Sequence, residues 1–352
     1  TRKDRSRDQL YNQSKMYSEL FKMLGWLHPT PTSALTFQFT YLGAHIVEAQ
    51  REPEYLFKEC ILGIAFPNSI LNSTGSYVLR PFATILKTIH DLGGLICRDE
   101  LIIGPLCLEN DRDDGLYKSM LEEIQSVRGD VKRLESKLFC LSAKRKIAVN
   151  TMGNYTRFPL AVLKWTGWTT SERNSEIYKR SIPFLRMTDL GERTYQYIVS
   201  CKDFRAKDLA QLPENIHAAL MKLSFLDMLY RSGFNLDQVS DQLGEYRHIL
   251  SSFLDNPNQA ILFSPFQELA PELVQRMFPN NVSSSIITKV NPNQELLTGN
   301  RSSLHYEVST KVPLHAIKEK RSLSSIDMTV TKDLLDLYDR TRDASRCIEL
   351  FA

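Results

Sequence analysis

Hydrolysis of a phosphodiester by metal-bound water needs two or three carboxylates around a divalent ion, and a lysine to orient the nucleophile. One local pattern of that kind comprises Glu295, Glu307, Lys311 and Glu319. Strand alternation along LHYEVSTK puts Glu307, Ser309 and Lys311 on one face. The spacing is Glu-x-x-x-Lys rather than Glu-x-Lys, no Pro-Asp precedes it, and a solvated edge strand with ordinary charge alternation accounts for the same residues. The seven histidines are dispersed, with no pair at metal-ligand spacing, so no metal site is assigned. Gly93-Gly94 lacks the pattern of a phosphate loop, and no serine or cysteine has a visible partner base.

A second chemistry is the reading of base edges. Asn150, Asn154, Tyr155 and Arg157 lie in the polar run NTMGNYTR. On a helix, positions 150, 154 and 157 share one face, and Asn and Arg are the side chains that pair bidentately with adenine and guanine in the major groove. Pro159 leaves the register open, since a helix starting there would place Asn154–Arg157 on a loop. In the plainer alternative the two asparagines are helix caps and Arg157 is a surface charge. Lys144, Arg145, Lys146, Arg173, Lys179 and Arg180 are assigned to phosphate contacts, which position a duplex without specifying its sequence. Nine Lys/Arg lie between Lys144 and Arg186, against Glu172 and Glu176 alone. The formal charge of +3 over 352 residues is unremarkable; the concentration of cations is what matters.

These residues require a particular scaffold. Ile85, Leu86, Ile89 and Leu92 have helical spacing and end at Gly93-Gly94, where a left-handed turn is cheap. A second helix is expected near Arg98, and a third over Asn150–Thr166. A polar tip over Thr169–Arg180 and the extended run IPFLRM then lead into a helix capped by Thr188 or Asp189. The order is that of a winged helix-turn-helix, with a charged helical insertion over Asp113–Leu138 weakened at Gly129. The stretch around Trp26, Tyr41, Leu42 and Gly43 repeats that around Trp168, Asp189, Leu190 and Gly191, which suggests two such units in tandem. Helices are expected again over Pro53–Leu71, beyond Cys201, over Pro265–Met277, and over Asp327–Leu350.

The expected fold is thus mainly α with small β-hairpins: tandem winged helix-turn-helix subdomains plus a helical C-terminal part. The expected segments are 1–72 (first subdomain and packing helix), 73–200 (second subdomain with its insertion) and 201–352 (helical domain and linker toward a nuclease domain). An apolar fraction of 42% fills such cores without disulfides or metals. Six cysteines without a CxxC pair fit buried, reduced thiols and a cytoplasmic location. The chain has no run of eighteen apolar residues and starts on a polar, basic segment, which argues against membrane insertion and secretion.

The runs RPFATILKTIHDLGGLICRDELIIGPLC and NTMGNYTRFPLAVLKWTGW, with the charged helices between them and the hairpin after them, resemble the AlwI family of type IIS restriction endonucleases, which includes nicking enzymes. The resemblance covers roughly residues 15 to 200. It implies sequence-specific recognition of double-stranded DNA by a monomer at an asymmetric site, within a restriction-modification hydrolase. It also implies a separate Mg²⁺-dependent nuclease domain. Glu307-Val308-Ser309-Thr310 echoes a strand of that nuclease domain, and DASRCIELFA resembles its opening helix, but too few residues follow to complete it. The expectation is a recognition portion that binds without cutting. A winged-helix transcription regulator and a complete small nuclease using Glu307 are the competing readings.

Overall fold

Helix α4 (Pro81–Asp91) is built as its apolar spacing predicts: Phe82, Ile85, Leu86 and Ile89 are buried along one face, and Pro81 starts it where the missing amide costs nothing. It stops where expected, because Gly93 and Gly94 take positive φ. The computed structural model describes residues 17–28, 36–48, 53–68, 77–232, 240–278 and 305–307. It is mainly helical with small sheets, and it divides into two compact units, Thr1–Pro53 with Leu269–Ala352, and Glu54–Glu268.

In the unit Glu54–Glu268, α3 (Pro53–Gly63) precedes α4. Strand β2 (Leu95–Cys97), α5 (Arg98–Ile103), α6 (Asp114–Val127), α7 (Val131–Arg145), α8 (Val149–Tyr155), α9 (Arg157–Trp165), β3 (Thr169–Asn174), β4 (Ile182–Met187) and α10 (Asp189–Ser200) follow. The strands form one antiparallel sheet in the order β2-β4-β3. Ile96, Leu101, Val162, Leu163, Trp168, Phe184 and Leu185 are also buried, each such side chain contributing about 1.5–3 kcal/mol. The charged insertion breaks at Gly129 as expected, with φ +94 there and Asp130 capping α7 through Lys132 and Arg133 amides. Three expectations need correction. The helix expected over Pro53–Leu71 ends at Gly63. The third helix is not continuous over Asn150–Thr166: it breaks at buried Thr156, whose hydroxyl bonds to Gly153 O, and Pro159 falls in the first turn of α9. The helix expected over Pro265–Met277 is likewise two, α14 (Pro265–Glu268) and α15 (Pro271–Met277), because Pro271 starts a new one.

The same unit holds β5 (Lys202–Asp203), α11 (Ala206–Leu209), α12 (Glu214–Arg231), α13 (Ser240–Ile249) and β6 (Ile261–Leu262), so its limits differ from the expected boundaries at 72/73 and 200/201. Arg80 links these segments. Its guanidinium is fully buried and donates to Gly63 O, Phe204 O and Leu262 O while pairing with Asp203 (2.9 Å) and Glu268 (2.7 Å). One side chain thus ties segments from three expected parts of the chain. A buried arginine left without these partners would cost several kcal/mol.

The unit Thr1–Pro53 with Leu269–Ala352 contains α1 (residues 17–23), β1 (Thr36–Gln38), α2 (Tyr41–Glu48), α15, and β7 (His305–Glu307), which pairs antiparallel with β1. Here the expected repeat is geometric. Thr40 Oγ1 donates to Gly25 O (2.6 Å) and accepts from Gly43 N (2.9 Å); Thr188 Oγ1 donates to Gly167 O (2.7 Å) and accepts from Gly191 N (3.0 Å). Gly25 and Gly167 both have φ +75. A Cβ at Gly43 would lie 2.1 Å from Trp26 O, and one at Gly191 2.2 Å from Trp168 O, so only glycine fits either place. The helices expected over Asp327–Leu350 lie outside the described residues.

Candidate nucleic-acid interface

The short helix α5 organises the candidate surface. Glu100, in its first turn, is completely buried, which a carboxylate tolerates only with hydrogen-bond partners. It accepts from Cys97 N (2.9 Å), from Arg128 Nε and Nη2 (2.8 and 3.0 Å), and from the Tyr178 hydroxyl (2.8 Å). Arg128, at the break between α6 and α7, also donates to Leu92 O and Leu95 O. The cluster therefore fastens the β3–β4 tip, the insertion and the α4–β2 turn to one point. Burial, with the negative Glu100 beside it, pushes the Tyr178 phenol well above its ordinary value, so it stays protonated as the donor.

Lys179 and Arg180 follow Tyr178 directly and are exposed, with Lys179 in the left-handed region at φ +50. Across the hairpin Arg186 pairs with both Glu172 oxygens and holds that carboxyl below the usual range, while Arg173 Nη1 reaches Ser181 O (3.5 Å). Arg186 is thus taken up by the hairpin, whereas Lys179 and Arg180 form no ion pair among the described residues.

Asn150, Asn154 and Tyr155 are exposed on α8, and Arg157 is exposed at the start of α9. The break at Thr156 puts Arg157 on a different helix from the asparagines, so the single 150/154/157 face becomes two neighbouring faces. Lys144 and Arg145 belong to the last turn of α7, where cations complement the helix C-terminus, and Lys146 is its left-handed cap at φ +53. They therefore lie at the end of the insertion, with Arg145 donating to Tyr77 Oη (2.9 Å).

Two cations join this group that spacing did not single out. The Arg98 guanidinium, paired with Asp99 (2.9 Å), lies against α8: a Cβ at Gly153 would be 3.8 Å from its Nη1. Lys164 shares the solvent face of α9 with Arg157 and is exposed beside Trp165, itself 58% exposed. The Lys164 position is one helical stripe from Arg157, a signal present in the sequence; the Arg98 contact is tertiary and had none.

Among the described residues no group of three His, Cys, Asp or Glu is placed to hold a metal ion. Glu295, Lys311 and Glu319 lie outside them, and Glu307 is described by its backbone alone, as the end of β7. No described helix is long and apolar enough to cross a membrane. Cys60, Cys97 and Cys201 are buried free thiols, whereas Cys140 is exposed. Compared with known proteins, the chain matches no family model and none of the curated proteins.

Proposed function

We propose that this protein recognises double-stranded DNA in a sequence-specific way through a winged helix-turn-helix made of α4, β2, α5, the broken helix α8–α9 and the β3–β4 hairpin. The observation that carries the reading is the element order together with the β2-β4-β3 sheet, which ends in a hairpin whose tip presents Lys179 and Arg180 free of ion pairs among the described residues. Asn150, Asn154, Tyr155 and Arg157 are assigned to base edges, and Lys144, Arg145, Lys146, Arg173, Lys179 and Arg180 to phosphates, with Arg98 and Lys164 added. Following the AlwI-like resemblance, this is the recognition part of a type IIS restriction or nicking endonuclease, acting as a monomer on an asymmetric site. Cleavage with Mg²⁺ is assigned to a separate nuclease domain, and the tandem subdomain arrangement belongs to the same proposal.

Paired binding measurements test the roles. Arg157→Ala is expected to cost about 1–3 kcal/mol on the selected site and much less on other DNA. Equal losses on every sequence would remove it from base reading. Lys179→Ala or Arg180→Ala is expected to weaken binding to any duplex and reduce the salt slope by about one unit. An unchanged slope would remove them from the phosphate set.

A further inference from the structure

The repeat extends further than the hairpin junction. In the unit Glu54–Glu268, β4 is flanked on one side by β3, starting with the pair Thr169 and Met187, and on the other by β2, with Leu95 opposite Arg186, Ile96 opposite Leu185 and Cys97 opposite Phe184. In the unit containing the N-terminal residues, Leu27 pairs with Phe39, the same places relative to Trp26 and Thr40 as Thr169 and Met187 relative to Trp168 and Thr188. On its other side β1 pairs with β7: His305 opposite Gln38, Tyr306 opposite Phe37, Glu307 opposite Thr36. Counted back from Thr40 and Thr188, Gln38 corresponds to Arg186, Phe37 to Leu185 and Thr36 to Phe184. Residues 305–307 therefore stand in the register and the antiparallel sense of Leu95–Cys97.

We infer that residues 17–28 and 36–48 belong to a second copy of the hairpin unit whose third strand is supplied from a distant part of the chain, by strand addition of residues 305–307 to the β1 edge. An unpaired strand edge is a template for another strand, and main-chain hydrogen bonds supply the attraction. In the other copy that strand comes from the neighbouring β2. The copies share a scaffold and not a surface: no Lys or Arg lies between residues 23 and 50, whereas Arg173, Lys179, Arg180 and Arg186 line the other hairpin. The N-terminal copy is thus an internal docking unit that holds residues 305–307. Glu307 takes the register place of Cys97 in a structural ladder, which is a different role from the metal ligand considered for it.

Amide exchange on the full chain tests this without reference to DNA. Tyr306→Pro disrupts the β1–β7 pairing and is expected to speed exchange of the protected amides of residues 36–38 at least tenfold, leaving those of residues 186–191 as in the wild type. Unchanged protection at residues 36–38, or equal loss across the whole chain, would overturn the inference. A cross-linking pair gives a second readout: Phe37→Cys with Tyr306→Cys should oxidise to a disulfide much faster than Phe37→Cys with Glu307→Cys, which is out of register. Equal rates for the two pairs would overturn the register.

Discussion

Replacing Tyr178 by phenylalanine removes one hydroxyl and leaves a ring of the same shape stacked on Phe184, 6.2 Å between centroids. The lost bond is the 2.8 Å donation to Glu100 Oε1, in a site with no solvent exposure at the carboxylate. A hydrogen bond to a charged group contributes about 1.5–3 kcal/mol. Arg128 still donates to the same oxygen at 2.8 Å, so Glu100 is not orphaned and the cost should fall near the lower end, about 1.5–2 kcal/mol. At roughly 2–4 °C per kcal/mol for a unit of this size, the unfolding midpoint drops by about 3–8 °C. Glu100→Gln removes the charge that faces the largely buried Arg128, a loss of about 3–5 kcal/mol. Thermal unfolding followed by circular dichroism at neutral pH, on both variants and the wild type, gives the comparison. A Tyr178→Phe protein as stable as the wild type, or one as damaged as Glu100→Gln, would refute the claim that the tip is fastened at this point by one supplementary bond.

Gly191→Ala should destabilise by about 1–3 kcal/mol or more, because its Cβ would sit 2.2 Å from the Trp168 carbonyl, whereas Gly244→Ala, with nothing within 4 Å, should stabilise by about 0.4–1 kcal/mol. Urea unfolding of the two variants checks the contrast, and equal effects would contradict it. Arg80→Met leaves buried Glu268 without its ion-pair partner, while Asp203 keeps Arg205 and Arg112, and is expected to cost about 3–5 kcal/mol in the same assay; a cost below ~1 kcal/mol would remove Arg80 as the tie between segments. His28 is buried, and desolvation lowers its pKa from the ordinary 6.5. The unfolded chain then takes up the proton first as pH falls, so stability is full above about 6.5 and declines below it. Amide exchange in residues 17–48 should accelerate between pH 7.5 and 5.5 in the wild type and less so in His28→Phe, and an equal response would exclude His28 as the cause.

Much of this architecture was legible because it rests on local rules. The α4 stripe and its Gly93-Gly94 stop, the Thr188 cap and the Gly129 break each follow from residue type and spacing over a few positions. The repeat was legible for the same reason, since the left-handed glycine before each tryptophan and the glycine against that tryptophan's carbonyl are positions that favour glycine. What the sequence concealed is tertiary. Glu100, Arg128 and Tyr178 meet from three distant segments, and nothing in spacing links them. Arg80 reads as an ordinary charge before Pro81, yet it is buried and joins segments distant in sequence. The break at Thr156 was half visible in Pro159, but the buried threonine that ends α8 became evident only through its contacts. In the candidate interface, individual cations were recognisable, while Arg98 against α8 and the assignment of Lys144–Lys146 to the end of α7 required the fold.

The central proposal concerns sequence-specific binding of a duplex, and a selection from a random pool of double-stranded DNA tests it most directly. After several rounds of binding and amplification at moderate salt, the bound pool should converge on one short asymmetric site, and Arg157→Ala protein should lose the preference for it. A pool that remains random would contradict the proposal, and convergence on a palindrome would contradict recognition by a monomer.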